Sequence, residues 1–197
     1  MLENYLRESM ERIKGILVEL KIPFHFTGGI AVFYYGEPRF TQDLDLVIRL
    51  SAASPETEQL LGRLSEAYLI HTQTALQAIR ERGLFQAIDQ TTLVKIDFHV
   101  GEKIPGELDR TSQREFGAGL IVPLVSMEDA VLSKMIWMHL GSHRAKRDAA
   151  TMWKRGGEFD PAHLRIQALK LGLAKELAEV EEAALPGHHP KDPKITG

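Results

Sequence analysis

The segment TGGIAVFYYGEPRFTQDLDLVIRL, from Thr27 to Leu50, sets a double glycine, Gly28 and Gly29, ahead of two carboxylates, Asp43 and Asp45. On a strand, alternate residues share a face, so Asp43 and Asp45 project together while Leu44, Leu46, Ile48 and Leu50 form the apolar side. Two like charges held this close need a cation between them. A divalent metal and a nucleotide phosphate are the chemistry this suggests. Metal ions held by carboxylates neutralise a triphosphate and align a hydroxyl nucleophile with the leaving pyrophosphate. Mg²⁺ takes a few carboxylates and completes its shell with phosphate oxygens and water. Glycines at a strand-to-helix turn allow close backbone approach, the helix that follows offers amide donors, and Thr27 adds a hydroxyl.

A third carboxylate would complete a two-metal site or act as base on the attacking hydroxyl. Alternation within LVKIDFHV puts Lys95, Asp97 and His99 on one face, which makes Asp97 the candidate. Either signal alone is weak, since an isolated Asp-x-Asp or Gly-Gly is common. Their order, with a helix between them and a third strand aspartate, is what carries the reading.

These residues need elements to position them. Leu6, Met10, Ile13, Ile16, Leu17 and Leu20 recur at helical spacing within residues 2–20, ahead of Pro23. Phe24 to Thr27 reads as a strand, Ile30 to Tyr35 as a short helix, and Asp43 to Leu50 as a second strand. A serine and proline start signal opens a helix after residue 51. Residues 72–83 predict another, and Leu84 to Asp89 with Thr92 to Val100 predict an antiparallel hairpin. Gly101 to Gly119 predicts a long surface loop, and Leu120 to Val125 a short strand. Ser126 is a helix N-cap with Glu128 and Asp129 in the first turn, and helix follows to about Leu185. Residues 186–197, with three prolines, are expected to be a flexible tail. The expected division is a catalytic region over 1–125 and a helical region over 126–185, within an α/β (α+β) fold of mixed sheet and flanking helices.

The 197 residues suffice for one α/β domain with a helical appendage. A net charge of -3 gives no global drive toward nucleic acid or an anionic membrane. The absence of cysteine removes disulfides, thiolate catalysis and cysteine-bound zinc. No stretch approaches the roughly 18 apolar residues of a membrane span, and the first residues lack a signal-peptide core, so a cytoplasmic protein is expected. Met135, Trp137, Met138, Met152 and Trp153 read as core. His139 and His143, four apart with no carboxylate motif, do not make a zinc site. The run His143, Arg144, Lys146, Arg147 and Asp148, basic in character, then Lys154 and Arg155, reads as a solvated helix face more readily than as an RNA or NTP guide.

The pattern Gly28, Gly29, Ala31, Gly36, Arg39, Thr41, Asp43-Leu44-Asp45-Leu46 and later Asp97 resembles the minimal nucleotidyltransferases of the DNA polymerase β superfamily. Within it, the chain is most similar to the AbiEii-like toxins of type IV toxin–antitoxin systems, over roughly residues 20–155. Lys95-x-Asp97 matches the second motif of that family. The resemblance implies transfer of a nucleoside monophosphate from an NTP with Mg²⁺ or Mn²⁺. It places Gly28 and Gly29 at phosphate, Asp43 and Asp45 on metal, and Asp97 as third carboxylate. It also implies a phosphate-reaching lysine on the helix after the last strand, where Lys134 lies. The toxins carry an aspartate seven positions before that lysine; here the residue is Met127, with Glu128 and Asp129 just beyond. The roles of Arg39 and Thr41, counted with the nucleotide-binding residues, are left open: Arg39 offers a triphosphate a bidentate donor, or is a loop arginine in solvent or paired with Glu37. A toxin of this kind implies an acceptor such as tRNA and an antitoxin partner. Two alternatives stand: an aminoglycoside- or lincosamide-type antibiotic nucleotidyltransferase, and a non-catalytic nucleotide-binding or antitoxin-type module.

Overall fold

The computed structural model describes residues 4–39, 41–117, 119–156 and 159–185; the expected tail over 186–197 lies outside them. The chain runs α1 (Asn4–Glu19), β1 (Phe24–Thr27), α2 (Gly28–Tyr35), β2 (Asp43–Ile48), α3 (Pro55–Ala67), β3 (Tyr68–Ile70), α4 (Thr72–Glu81), β4 (Leu84–Asp89) and β5 (Lys95–Val100). It continues through β6 (Ser112–Glu115), β7 (Ile121–Leu124), α5 (Met127–His139), α6 (His143–Arg155), α7 (Pro161–Lys170) and α8 (Ala174–Ala184). The strands form one mixed sheet ordered β3-β4-β5-β2-β1-β7-β6. This is the α/β architecture with a helical C-terminal part expected from the sequence.

Alternation decides the two faces. Leu44, Leu46, Ile48, Phe85, Ala87, Ile96, Phe98 and Val100 are buried and join one core with Leu6, Met10, Ile13 and Leu17 of α1 and Leu60 and Leu64 of α3. Phe85 and Phe98 stack there with ring centroids 4.6 Å apart. Burying each such side chain contributes about 2 kcal/mol, so the sheet cannot slip by one residue without exposing the whole set. The polar residues of β2 and β5 are thereby forced onto the opposite face. The predicted hairpin is present as β4 and β5, paired antiparallel. Ser126 caps α5, accepting from the Asp129 amide at 3.1 Å.

Two expectations need correction. The predicted surface loop over Gly101–Gly119 contains β6, paired antiparallel with β7, and it buries Ile104, Glu107, Leu108 and Phe116. The edge strand SQRE shows no apolar alternation because its place is set by main-chain bonding to β7, which periodicity does not report. Strand β3, three residues at the other edge, escaped for the same reason.

Candidate active site

Register assembles the polar face. Thr27 on β1 pairs with Asp45 on β2, and Asp45 pairs in turn with Asp97 on β5. Asp43 pairs with Lys95 in the same parallel ladder. Asp43, Asp45 and Asp97 therefore share one face, as alternation predicted. Their separation in the chain is bridged by the β2–β5 pairing, which no local pattern encodes.

The charges are already organised. Lys95 Nζ lies 2.9 Å from Asp97 Oδ2 and 3.5 Å from Asp43 Oδ2, so its ammonium stands between the two carboxylates. Burial works to lower the Lys95 pKa, but the Asp97 hydrogen bond and the charges of Asp97 and Asp43 outweigh it and hold it raised. Gln86, beside Asp97 on β4, donates to Asp97 Oδ1 at 2.9 Å. His99 Nε2 lies 3.6 Å from Asp45 Oδ1. Burial alone would raise the Asp45 pKa; the His99 hydrogen bond, the charges of His99 and Lys134 and the Gly29 amide hold it below the usual carboxylate range. Among the described residues, no three His, Cys, Asp or Glu side chains converge into a metal-holding group.

The double glycine is demanded by contact. Gly28 has φ +57°, and a Cβ there would stand 1.9 Å from Asp45 Oδ2. The Gly29 amide donates to the same oxygen at 3.4 Å. A Cβ on Gly29 would stand 2.4 Å from Thr41 Oγ1, and that hydroxyl donates to Asp43 Oδ1 at 3.2 Å. Thr41 thus orients a carboxylate. Thr27 is buried, and its side chain makes no capping bond to α2.

Arg39 and Lys134 converge on a residue that the sequence pattern placed on a solvated helix face. Asp148 accepts from Arg39 Nε at 3.1 Å and Nη2 at 3.0 Å, and Lys134 Nζ lies 3.2 Å from its Oδ2. Arg39, 26% exposed, is thus held by Asp148, and Glu37 meets Arg147 at 3.5 Å. The acids after Met127 are engaged elsewhere: Asp129 binds Arg110 through two bonds, and Glu128 accepts from the Asp160 amide. A signal for Asp148 did exist. It shares the buried stripe of α6 with Ala145, Ala149 and Met152, and a carboxylate on a buried stripe requires a cation partner. Asp148→Ala leaves Lys134 without that partner in a site where its side chain is only 12% exposed. A loss of about 3 kcal/mol, or roughly 5–10 °C in melting temperature, is expected by calorimetry; a change under about 1 °C would contradict the clamp.

One expected core residue is not core. Met135 and Met152 are fully buried, but Trp137 is 43% exposed and lines a recess together with Asp45 and Gly28. Trp153 packs edge-on against Phe159 at 5.1 Å.

Beneath the site, His25 is fully buried. Its Nδ1 is 3.0 Å from Thr111 Oγ1, and its Nε2 is 3.6 Å from Glu107 Oε2. Burial pushes its pKa down to about 4, against the opposing charges of Asp129 and Glu102 and with the help of Arg110. Because the folded value lies below the ordinary 6.5, its contribution is intact above about pH 6.5 and is lost as pH falls toward 4. The loss amounts to about 3 kcal/mol. Glu107, raised by burial, acts with the opposite sign, losing its contribution as pH rises. Melting temperature against pH for His25→Gln should lose the acid limb; a curve parallel to the parent's would rule the assignment out.

A family model described as nucleotidyl transferase AbiEii toxin, type IV TA system, matches residues 14–180. No curated protein matches the sequence. Among solved structures, an antigenic nucleotidyltransferase-like protein from Paracoccidioides brasiliensis superposes with TM-score 0.57 at 19% identity, covering 93% of this chain and 94% of that one. The antibiotic-resistance factor ANT(2'')-Ia gives TM-score 0.49 at 16% identity, over 90% of this chain and 89% of its own. The lincosamide antibiotic adenylyltransferase LnuA gives 0.49 at 13%, over 76% and 97%. At these identities the first likeness is one of fold.

Proposed function

The chain belongs to the AbiEii nucleotidyltransferase family, and from that premise we propose that this nucleotidyltransferase moves a nucleoside monophosphate from an NTP onto an acceptor hydroxyl at the Asp43, Asp45 and Asp97 face. The observation that carries the reading is the ladder pairing Asp45 with Asp97 beside a glycine turn with no room for a Cβ. Asp43 and Asp45 present oxygen donors only, which fits Mg²⁺ or Mn²⁺ held by two carboxylates and completed by phosphate oxygens and water. When bound there, the metal supplies charge neutralisation of the α-phosphate.

The protein's own residues do the rest. Asp97 takes the proton of the acceptor hydroxyl as its oxygen bonds to the α-phosphorus and the bond to pyrophosphate breaks. Lys95 holds Asp97 and Asp43 in place, and Thr41 fixes Asp43. Gly28 and Gly29 let the N-terminus of α2 approach the phosphates, beside the Thr27 hydroxyl. Lys134 and Arg39, oriented by Asp148, neutralise the leaving pyrophosphate.

The acceptor we infer is a macromolecule such as tRNA, with a separately encoded antitoxin as protein partner. Among the described residues no helix is long and apolar enough to cross a membrane. Incubation with each labelled NTP, Mg²⁺ and total RNA should place label on RNA. Label on an aminoglycoside or lincosamide would favour the antibiotic-modifying alternative; label on nothing, across RNA, proteins and drugs, would favour the binding module.

Asp97→Asn separates chemistry from binding. It should lower kcat by about 10²–10⁴-fold with KM for the NTP nearly unchanged. Equal loss in both would confine Asp97 to binding.

A further inference from the structure

Helix α6 turns a cationic side to solvent. Its exposed residues are His143, Arg144, Arg147, Lys154 and Arg155, and its one acid, Asp148, is buried. At the helical repeat, Arg144, Arg147, Lys154 and Arg155 fall within an arc of about 100°. Lys146 lies outside that arc and is paired with Glu179 of α8 at 3.0 Å. The chain as a whole carries a net charge of -3, so the positive charge is a local concentration. A patch of that kind is what lets an acidic chain hold a polyanion.

The arc runs into the site. Asp148 borders it, four residues after Arg144 and so one turn along the same side, and it holds Arg39 and Lys134. The segment joining α2 to β2 lies along the helix at three points: Arg155 donates to the Gly36 carbonyl at 2.7 Å, Arg147 meets Glu37 at 3.5 Å, and Arg39 binds Asp148 through two bonds. Further along that segment, Thr41 holds Asp43. A surface that begins at Arg144 and Arg147 therefore ends at the Asp43, Asp45 and Asp97 face. Glu37 does not neutralise it, because Arg147 and Glu37 are 69% and 68% exposed, and so open a pair exchanges readily for a phosphate.

The composition of the face selects its occupant. Among the described residues, none of the exposed large apolar side chains lies on α6, so the face lacks the apolar centre of a protein interface. Arginine forks take phosphate oxygens in pairs, and Arg144 to Lys154 spans about 15 Å along the helix, room for several phosphates of one strand. We infer that this face of α6 carries the phosphodiester backbone of the RNA acceptor, with Arg144, Arg147 and Lys154 as contacts, and leads the strand along the α2–β2 segment to the carboxylates. It rests on the nucleotidyl-transfer reading, and deepens it by giving the acceptor a surface outside the reaction centre.

The test compares the parent with Arg144→Glu/Arg147→Glu, using fluorescein-labelled total tRNA followed by anisotropy across a salt series. The variant should bind at least tenfold more weakly at about 0.1 M salt, and the slope of log affinity against log salt should fall by about two. Its KM for the NTP and its melting temperature should match the parent's. Should the reversal lower the melting temperature, Arg144→Gln/Arg147→Gln carries the same test through the salt slope. Arg63→Glu/Arg80→Glu, on α3 and α4, changes the net charge equally and should leave tRNA binding as in the parent. Equal weakening in that control would reduce the effect to general repulsion and overturn the face. Parent-like tRNA binding by the α6 variant would overturn it as well, as would polyglutamate binding the parent as tightly as tRNA, which would make the face one for an acidic polypeptide. Label transferred from the NTP scores the transfer reading separately. A parent that binds tRNA through α6 but labels no RNA, protein or drug keeps the face and loses the enzyme assignment; one that labels RNA equally well with α6 reversed does the opposite.

Discussion

Asp45→Ala is expected to cut nucleotidyl transfer by about 10³-fold or more while the protein stays folded. Asp45 is the carboxylate on which the site converges: the Gly29 amide at 3.4 Å, His99 at 3.6 Å and, across the ladder, Thr27 and Asp97. Its side chain is 24% exposed on the polar face, so truncation opens no cavity in the apolar core. On the metal assignment proposed above, removing it leaves Asp43 without its partner carboxylate on β2. The measurement pairs initial rates with thermal melting. Turnover within about tenfold of the parent would refute the metal assignment, and a melting temperature lower by more than about 5 °C would move the effect to folding.

Gly28→Ala is expected to be almost as damaging, for two reasons that add. An alanine at φ +57° sits in the left-handed region at a cost of about 1 kcal/mol. Its Cβ would also meet Asp45 Oδ2 at 1.9 Å and Asp45 Cβ at 2.7 Å, so Asp45 must move and the carboxylate leaves its place beside Gly29. A fall in kcat of roughly 10²-fold or more is expected, since misplacing a reacting group by about 1 Å carries a penalty of that size. Gly29→Ala should be milder, because its Cβ meets the Thr41 side chain, which can turn aside. A double-mutant cycle tests the cause. In the Asp45→Ala background the stability cost of Gly28→Ala should shrink, though not vanish, because the contact with the position-45 Cβ remains. A cost unchanged in that background would place the strain in the backbone alone.

The elements that carry these residues were legible because each is written in local pattern. The α1 stripe, the alternation of β2, β4 and β5, and the Ser126 cap all depend on residues within one or two turns of one another. Edge strands β3 and β6 were not legible, since YLI is too short and SQRE too polar to show an apolar period, and their places are set by main-chain bonding to β4 and β7. Trp137 was read as core because helical spacing reports which residues share a stripe but not where the stripe ends. On α5 the buried set is Met127, Asp129, Ala130, Val131, Leu132 and Met135, and Trp137 falls past its edge.

By itself the sequence determined the fold class, the family and the sharing of a face by Asp43 with Asp45 and by Lys95 with Asp97 and His99. Those follow from residue type and a two-residue period. The tertiary structure alone decided that β2 and β5 lie side by side in register, so that Lys95 stands between Asp43 and Asp97. It alone turned Asp148 inward to hold Arg39 and Lys134, and brought Trp137 and Glu107 to the recess beside Asp45. The physical reason is common to all three. Such contacts join residues tens of positions apart, and their energy depends on charge and shape meeting across elements, which no periodicity in one segment can record.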